Sequence, residues 1–398
     1  MIEPSEHRPS QAIVDLGAIR HNLTIIQARM QPEQLLYATV KADAYGHGAI
    51  QISKAALEAG ADGLAVATVD EGIELRQAGI QDVPILILGL TDPRGIAEIL
   101  HYHLTVTVSG TEFFEVAYQQ LQRSGELALL DECTLNFHLA LDTGMGRIGL
   151  RTTAEVRAFA EAINAFPWAQ WEGVFTHFAT AGGGPEAYIQ TQWKQWQSLL
   201  QAVPDTVRYR HYANSAMALW YDQAIPSDIV RYGIGIYGVD PKDQLPEGDW
   251  PADLAVNQQD AFKPALSLIS EIVHVKKVTK GSKISYGATY EAQEDEWIAT
   301  IPMGYADGWL RRYEVFPVLV DGQACPIVGR INMDQLMIRL PKQYPVGTTV
   351  TFIGQDGHLN NHVSYLAQQI DTIGYEILTT IGKRVPRIYL DEAGKVKE

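Results

Sequence analysis

Leu35-Leu36-Tyr37-Ala38-Thr39-Val40-Lys41-Ala42-Asp43-Ala44-Tyr45-Gly46-His47-Gly48 takes an apolar run into a lysine, then into a turn of small residues with a tyrosine and two glycines. The run 35–40 reads as a buried strand. A lysine at such a strand end points its amine into a pocket, where burial lowers the pKa and makes the amine nucleophilic. Amines of this kind form a Schiff base with a carbonyl substrate or with pyridoxal phosphate. For this segment alone, a lysine snorkelling out of a strand end is the structural alternative.

Outward from this strand, short apolar runs alternate with amphipathic stretches. Strand-like runs occur at 35–40, 63–67, 84–88, 104–108, 134–141, 172–177, 207–212 and 229–236. Eight strands with helical patterns between them predict an α/β architecture, an N-terminal (β/α)8 TIM-type barrel. A doubly wound sheet competes, because pattern alone does not show closure. Residues 12–15 and a helical stretch over 16–30 precede the first barrel strand. Residues 240–257 are rich in Pro, Asp and Gly and read as a linker. Beyond them the period becomes two, as across 266–275, with further strand signals at 298–301, 318–320, 325–328 and 350–353 and a hairpin turn at Asp321-Gly322. The expected domains are a barrel over 12–245 and a mostly β C-terminal domain over 258–398, with residues 1–11 packing against the latter.

Composition narrows the function. The 398 residues are 46% apolar and 20% charged, with a net charge of −16. That charge opposes nucleic-acid binding and anionic membranes. Cys133 and Cys325 give neither a disulfide framework nor a metal-ligand spacing and suit a reducing cytosol. The polar first ten residues show no signal-peptide pattern, and no apolar run nears the ~20 residues of a membrane span. A cytoplasmic protein is expected.

Barrel enzymes place their chemistry at strand C-termini. Lys41, the loop Asp142-Thr143-Gly144-Met145-Gly146-Arg147, His177, Asn214-Ser215, and Arg231 with Gly233-Ile234 all fall at such ends. Ser215 reads as a helix cap or as part of an anion site beside strands seven and eight. Arg147 suits a carboxylate or a phenolic oxygen, though most exposed arginines bind nothing. His177, taken singly, reads as a core histidine sooner than as a catalyst. In the second half, Tyr286 lies in Ile284-Ser285-Tyr286-Gly287-Ala288-Thr289-Tyr290. Tyr305 and Met333 sit in two further Gly-bearing strand exits. Tyr286 can act as an acid/base only if a cation lowers its pKa of ~10.

Together these segments resemble the alanine racemase family over nearly the whole chain, from Val14-Asp15-Leu16 to Arg384-Val385-Pro386-Arg387. The resemblance implies a barrel and a β domain, paired head-to-tail in a homodimer. It implies that Lys41 carries pyridoxal 5'-phosphate. Tyr45, Ser215, Gly233, Ile234 and Tyr375 would hold the phosphate, and Asn214 would also meet the cofactor. Arg231 would face the pyridine nitrogen, buttressed by His177. Arg147 would meet the phenolic oxygen and the substrate carboxylate. Tyr286 would be the second base, reaching in from the partner, with backbone near Met333 at the carboxylate and Tyr305 lining the access path. The implied role is supply of D-alanine for peptidoglycan.

One position departs from the family pattern. Many relatives carry a carbamylated lysine two residues before the Asp of the Asp-Thr-Gly loop, where this chain has Ala140. A bound anion or a polar side chain, Asn136 among the candidates, is expected to orient Arg147 instead. The readings in competition are a serine or broad small-amino-acid racemase, a barrel-type decarboxylase, a non-catalytic cofactor-binding protein and a structural protein with a decayed site.

Overall fold

The computed structural model describes residues 4–221, 227–241 and 262–397. Strand β1 (Gln11–Asp15) comes first, followed by eight barrel strands. These are β2 (Leu35–Thr39), β3 (Gly63–Val66), β4 (Ile85–Leu90), β5 (Thr105–Val108), β6 (Leu135–Ala140), β7 (Ala169–Phe175), β8 (Tyr209–His211) and β9 (Ile229–Tyr232). All are parallel, in the order β8-β7-β6-β5-β4-β3-β2-β9. The Arg231 N–H donating to the Ala213 carbonyl at 2.9 Å brings β9 back towards β8 and nearly closes the ring. Strands covered on both faces are buried along their whole length, as β3, β5 and β9 are at every position. Closure thus favours the barrel over the doubly wound sheet.

Two barrel strands differ from the pattern reading. The 229–236 run stops at Tyr232, because Gly233 leaves the extended region and Ile234–Tyr237 winds into a 3₁₀ turn. Strand β7 begins at Ala169 rather than 172 and carries an extra residue. Phe137 pairs with Trp171 and His138 with Gly173, so Glu172 bulges.

The second domain holds β10 (Leu266–Glu271), β11 (His274–Val278), β12 (Lys283–Ile284), β13 (Tyr290–Glu291), β14 (Glu296–Ile301), β15 (Val318–Val320), β16 (Gln323–Cys325), β17 (Leu336–Leu340), β18 (Thr349–Asp356), β19 (Leu359–Asn361) and β20 (Arg387–Leu390). Its main sheet runs β16-β15-β18-β10-β1-β20, with β19 on β18. The 266–275 alternation breaks at Ile272-Val273, and β11 joins a second sheet with β14 and β17. Asp321 and Gly322 connect β15 and β16 at φ 52° and 70°, the positive pair that a two-residue hairpin requires.

Strand β1 belongs here, not to the barrel. It pairs antiparallel with β10 and parallel with β20, burying Ala12 and Val14. Those partners lie more than 250 residues away, beyond the reach of any local pattern. Ser10 and Arg8 continue the same attachment. The Ser10 hydroxyl bonds Ser270 and Pro302, and Arg8 pairs with Asp307. Asp15 then caps the helix Leu16–Gln27, its carboxylate accepting from the Ala18 N–H. The expected linker lies almost wholly outside the described residues, as do the boundaries at 245 and 258.

Candidate active site

Lys41 leaves β2 through Val40 and enters a turn of unusual hand. Ala42, Asp43, Ala44 and Tyr45 lie at φ 52–54°, four successive left-handed residues. Such a conformation costs an L-residue ~1–2 kcal/mol, so the surroundings must hold it. Glu71 accepts from the Ala42 N–H at 2.7 Å, and Asp43 accepts from the Ala49 N–H at 2.8 Å. From the second domain, Arg387 Nε donates to the Gly46 carbonyl at 3.0 Å. The turn buries Tyr45 between Tyr237 and Tyr375, at ring separations of 4.7 and 5.7 Å.

Across the barrel mouth, Asn214 caps the short helix Ser215–Trp220 by accepting from the Met217 N–H. The Ser215 hydroxyl accepts from the Gly233 N–H at 2.8 Å. A side chain at Gly233 would stand 2.8 Å from the Tyr45 hydroxyl oxygen, so glycine keeps this cradle open. Ile234 follows and lines the same cavity.

Arg231 is buried deeper in β9. Its Nη1 donates to His211 Nδ1 at 2.6 Å, and its Nη2 donates to the carbonyls of Thr176 and Tyr212. The buttress is therefore His211, not His177. His177 lies 3.5 Å from the Asn214 amide through Nε2. The physical reason is depth: Arg231 and His211 both lie within barrel strands, whereas His177 is already two residues beyond β7. Burial, followed by the charges of Arg231, Arg147 and Lys41, pushes His177 down to about 3.

All ten residues expected around the cofactor line one cavity of about 660 Å³: Lys41, Tyr45, Arg147, His177, Asn214, Ser215, Arg231, Gly233, Ile234 and Tyr375. Burial lowers the pKa of Lys41, and Arg147 and Arg231 lower it further, against an opposing pull from Glu71. Arg231 is itself pushed down to about 9, by burial and then by Arg147, and stays charged at neutral pH. The cavity therefore combines an activated amine with two guanidinium cations.

Arg147 ends the loop after β6. Asp142 shapes that loop by accepting from the N–H groups of Gly144 and Gly146. Ala140 is buried at the end of β6. Asn136 lies four residues earlier, ~13 Å back along the strand from Ala140.

Tyr286, Tyr305 and Met333 stand apart from this cavity. They lie together on the second domain, exposed at 75, 39 and 53%. The Tyr305 and Ala306 N–H groups donate to the Asn332 and Met333 carbonyls, and Ser285 beside Tyr286 bonds the Arg330 carbonyl and Asn332.

Several contributors escaped the sequence reading: His211, His138, Glu172, Gln192 and Arg387. Gln192 donates to Thr143 and to the His177 carbonyl. Its signal was available, as the polar member of the buried stripe Ile189, Gln192, Trp196 and Leu199. His138 and His211 were likewise visible as polar residues inside apolar strand runs.

Residues 14–241 match the family model for the alanine racemase N-terminal domain, and 265–389 match that for the C-terminal domain. The chain is 45% identical to an alanine racemase of Ligilactobacillus salivarius, over 96% of this chain and 98% of the relative. A crystal structure of alanine racemase from Bacillus anthracis with bound L-Ala-P superposes at TM-score 0.89 with 41% identity, covering 98% of this chain and 97% of that one. A histidine racemase from Leuconostoc mesenteroides shares the fold at TM-score 0.86 and 32% identity, covering 97% and 99%.

Proposed function

We propose that this chain, which belongs to the alanine racemase family, interconverts L- and D-alanine with pyridoxal phosphate held in the barrel cavity. The observation that carries the reading is the meeting of Lys41, two arginines and the Ser215–Gly233–Tyr45 cradle in one space. The donor set fits an anionic aromatic aldehyde. A side-chain-free glycine and two hydroxyls suit a phosphate, an amine of lowered pKa suits the carbonyl carbon, and a buried arginine suits a ring nitrogen.

When bound, the cofactor supplies the electron-withdrawing ring that acidifies the substrate α-C–H. The chain supplies the rest. Tyr45, Ser215, Gly233, Ile234 and Tyr375 hold the phosphate end, and Asn214 lines the same cavity. Arg231 keeps its proton and so leaves the ring nitrogen bare. Arg147 takes the substrate carboxylate, with Met333 backbone and Tyr305 contributed by a partner. Lys41 Nζ moves a proton on one face of the α-carbon.

Racemisation needs a second base on the opposite face. Tyr286 belongs to this role in a head-to-tail homodimer, its hydroxyl reaching into the other subunit's cavity. Two surface features support that pairing. Tyr286, Tyr305 and Met333 form an exposed apolar cluster, and the cavity rim exposes Leu90, Met145 and Ile373. Mixing Lys41→Ala and Tyr286→Phe chains then restores one intact site per heterodimer. No recovered activity after demonstrated subunit exchange would refute the shared site.

The central experiment is proton NMR of the cofactor-loaded protein with L-alanine in D₂O. Deuterium at the α-position together with D-alanine formation is the expected result. Exchange without D-alanine would leave Lys41 working alone and overturn the two-base reading. L-serine and L-histidine belong in the same series, because a similar chain is a histidine racemase. The physiological reading is D-alanine supply for peptidoglycan in a bacterial cytoplasm. Among the described residues, no helix is long and apolar enough to cross a membrane.

A further inference from the structure

Beneath Arg231, a line of polar side chains continues through the barrel interior. Arg231 Nη1 lies 2.6 Å from His211 Nδ1, His211 Nε2 lies 2.7 Å from His138 Nδ1, and His138 Nε2 lies 3.5 Å from a Glu172 carboxylate oxygen. Both imidazoles are buried, while Glu172 is half-buried at the far end. Two backbone features make room for this line. Glu172 is the bulged residue of β7, an arrangement that re-aims a side chain. Next to it, a Cβ at Gly173 would stand 2.8–2.9 Å from three ring atoms of His138.

The protons in this line run one way. A guanidinium only donates, so His211 Nδ1 accepts and, in the neutral ring, Nε2 carries the proton. That proton points at His138 Nδ1, which must accept, placing the second ring's proton on Nε2 towards Glu172. Burial lowers both imidazole pKa values and keeps the rings neutral. If His138 turned its proton to Nδ1, two N–H groups would meet at 2.7 Å. His211 would then have to carry its proton at Nδ1, against the arginine.

We propose that His138 and Glu172 are positioning residues for Arg231: they fix His211 in its Nε2–H form, so that the guanidinium always meets a lone pair and holds one pose at the cavity floor. The consequence for turnover rests on the cofactor reading above, but the proton order does not. Because Arg231 acts on the chemical step rather than on alanine itself, the relay governs kcat rather than KM.

The test is magic-angle-spinning NMR of the cofactor-loaded protein labelled with ¹⁵N-histidine. Wild type should show His211 and His138 both as Nε2–H, with a nitrogen–nitrogen coupling across their shared hydrogen bond. His138→Leu removes the acceptor. It should populate His211 Nδ1–H and lower kcat about tenfold, the order expected for one charge-assisted hydrogen bond, with KM nearly unchanged. His138→Asn offers an oxygen to the same proton and should restore both the tautomer and most of kcat. Wild-type His211 as Nδ1–H, or His138→Leu with tautomer and kcat both unchanged, overturns the proposal. The wild-type coupling decides the matter even if a variant fails to fold. A protein that takes up no pyridoxal phosphate but keeps the coupling would refute the cofactor reading and leave the relay standing.

Discussion

Lys41 and Arg147 line the same cavity. The arginine's positive charge works against protonation of the amine, in addition to the larger effect of burial. Glu71 pulls the other way while its carboxylate holds the Ala42, Ala67 and Thr68 N–H groups. The signs are separable. Removing Arg147 takes away a cation, so the Lys41 pKa should rise towards the ordinary lysine value. Glu71→Gln should lower it further. The pH dependence of pyridoxal phosphate capture by the apoprotein reads this directly, since only the neutral amine attacks. The midpoint should move to higher pH in Arg147→Ala and to lower pH in Glu71→Gln. An unmoved midpoint in both variants would mean that burial, with Arg231, sets the amine. Lys41 was legible in the sequence because its chemistry and its strand end lie in one contiguous segment. The Arg231–His211 bond was not, since it joins two strands and depends on how deep each residue sits.

Among elements, the left-handed turn after β2 shows what pattern cannot supply. Glycines at 46 and 48 marked a turn, but nothing in Ala42-Asp43-Ala44-Tyr45 signals four positive φ values, because L-residues avoid them singly. The conformation comes from its clamps, and one of these, Arg387, arrives from β20. Barrel strands were legible for the opposite reason: double burial demands apolar runs, which local sequence records. Strand β1, paired with two distant strands, left no such record. Gly48 tests the turn. It sits at φ 95°, and a Cβ there would collide with the Tyr389 hydroxyl. Gly48→Ala should therefore destabilise the fold and weaken cofactor retention. Adding Tyr389→Phe removes the colliding oxygen but not the backbone strain, so the double variant should recover only part, with ~1–2 kcal/mol still missing. Urea unfolding measures both, and full recovery would place the whole cost in the collision.

At the scale of the whole molecule, both domains meet around a buried histidine, and that makes stability depend on acidity. His47 is fully buried near the junction, its Nδ1 3.0 Å from the Tyr45 carbonyl and its ring 4.5 Å from that of Tyr237. Burial is the main force pushing its pKa down to about 4. The Arg387 charge adds to it, and contacts with the Tyr45 and Ala44 backbone oppose it. In the unfolded chain the same imidazole titrates near 6.5. Between these values the unfolded state binds a proton that the folded state refuses, so stability falls as pH drops from about 6.5 to about 4 and then levels for this group. The gap corresponds to about 3 kcal/mol. His177, pushed down to about 3, extends the same slope to lower pH. Urea midpoints taken from pH 7 to pH 4 at one protein concentration should decline across this window. His47→Asn cannot titrate and should flatten the curve, even though it starts from a lower midpoint at pH 7. A slope identical to wild type in His47→Asn would remove His47 as its source and leave the three barrel histidines, His138, His177 and His211, to carry the acid sensitivity.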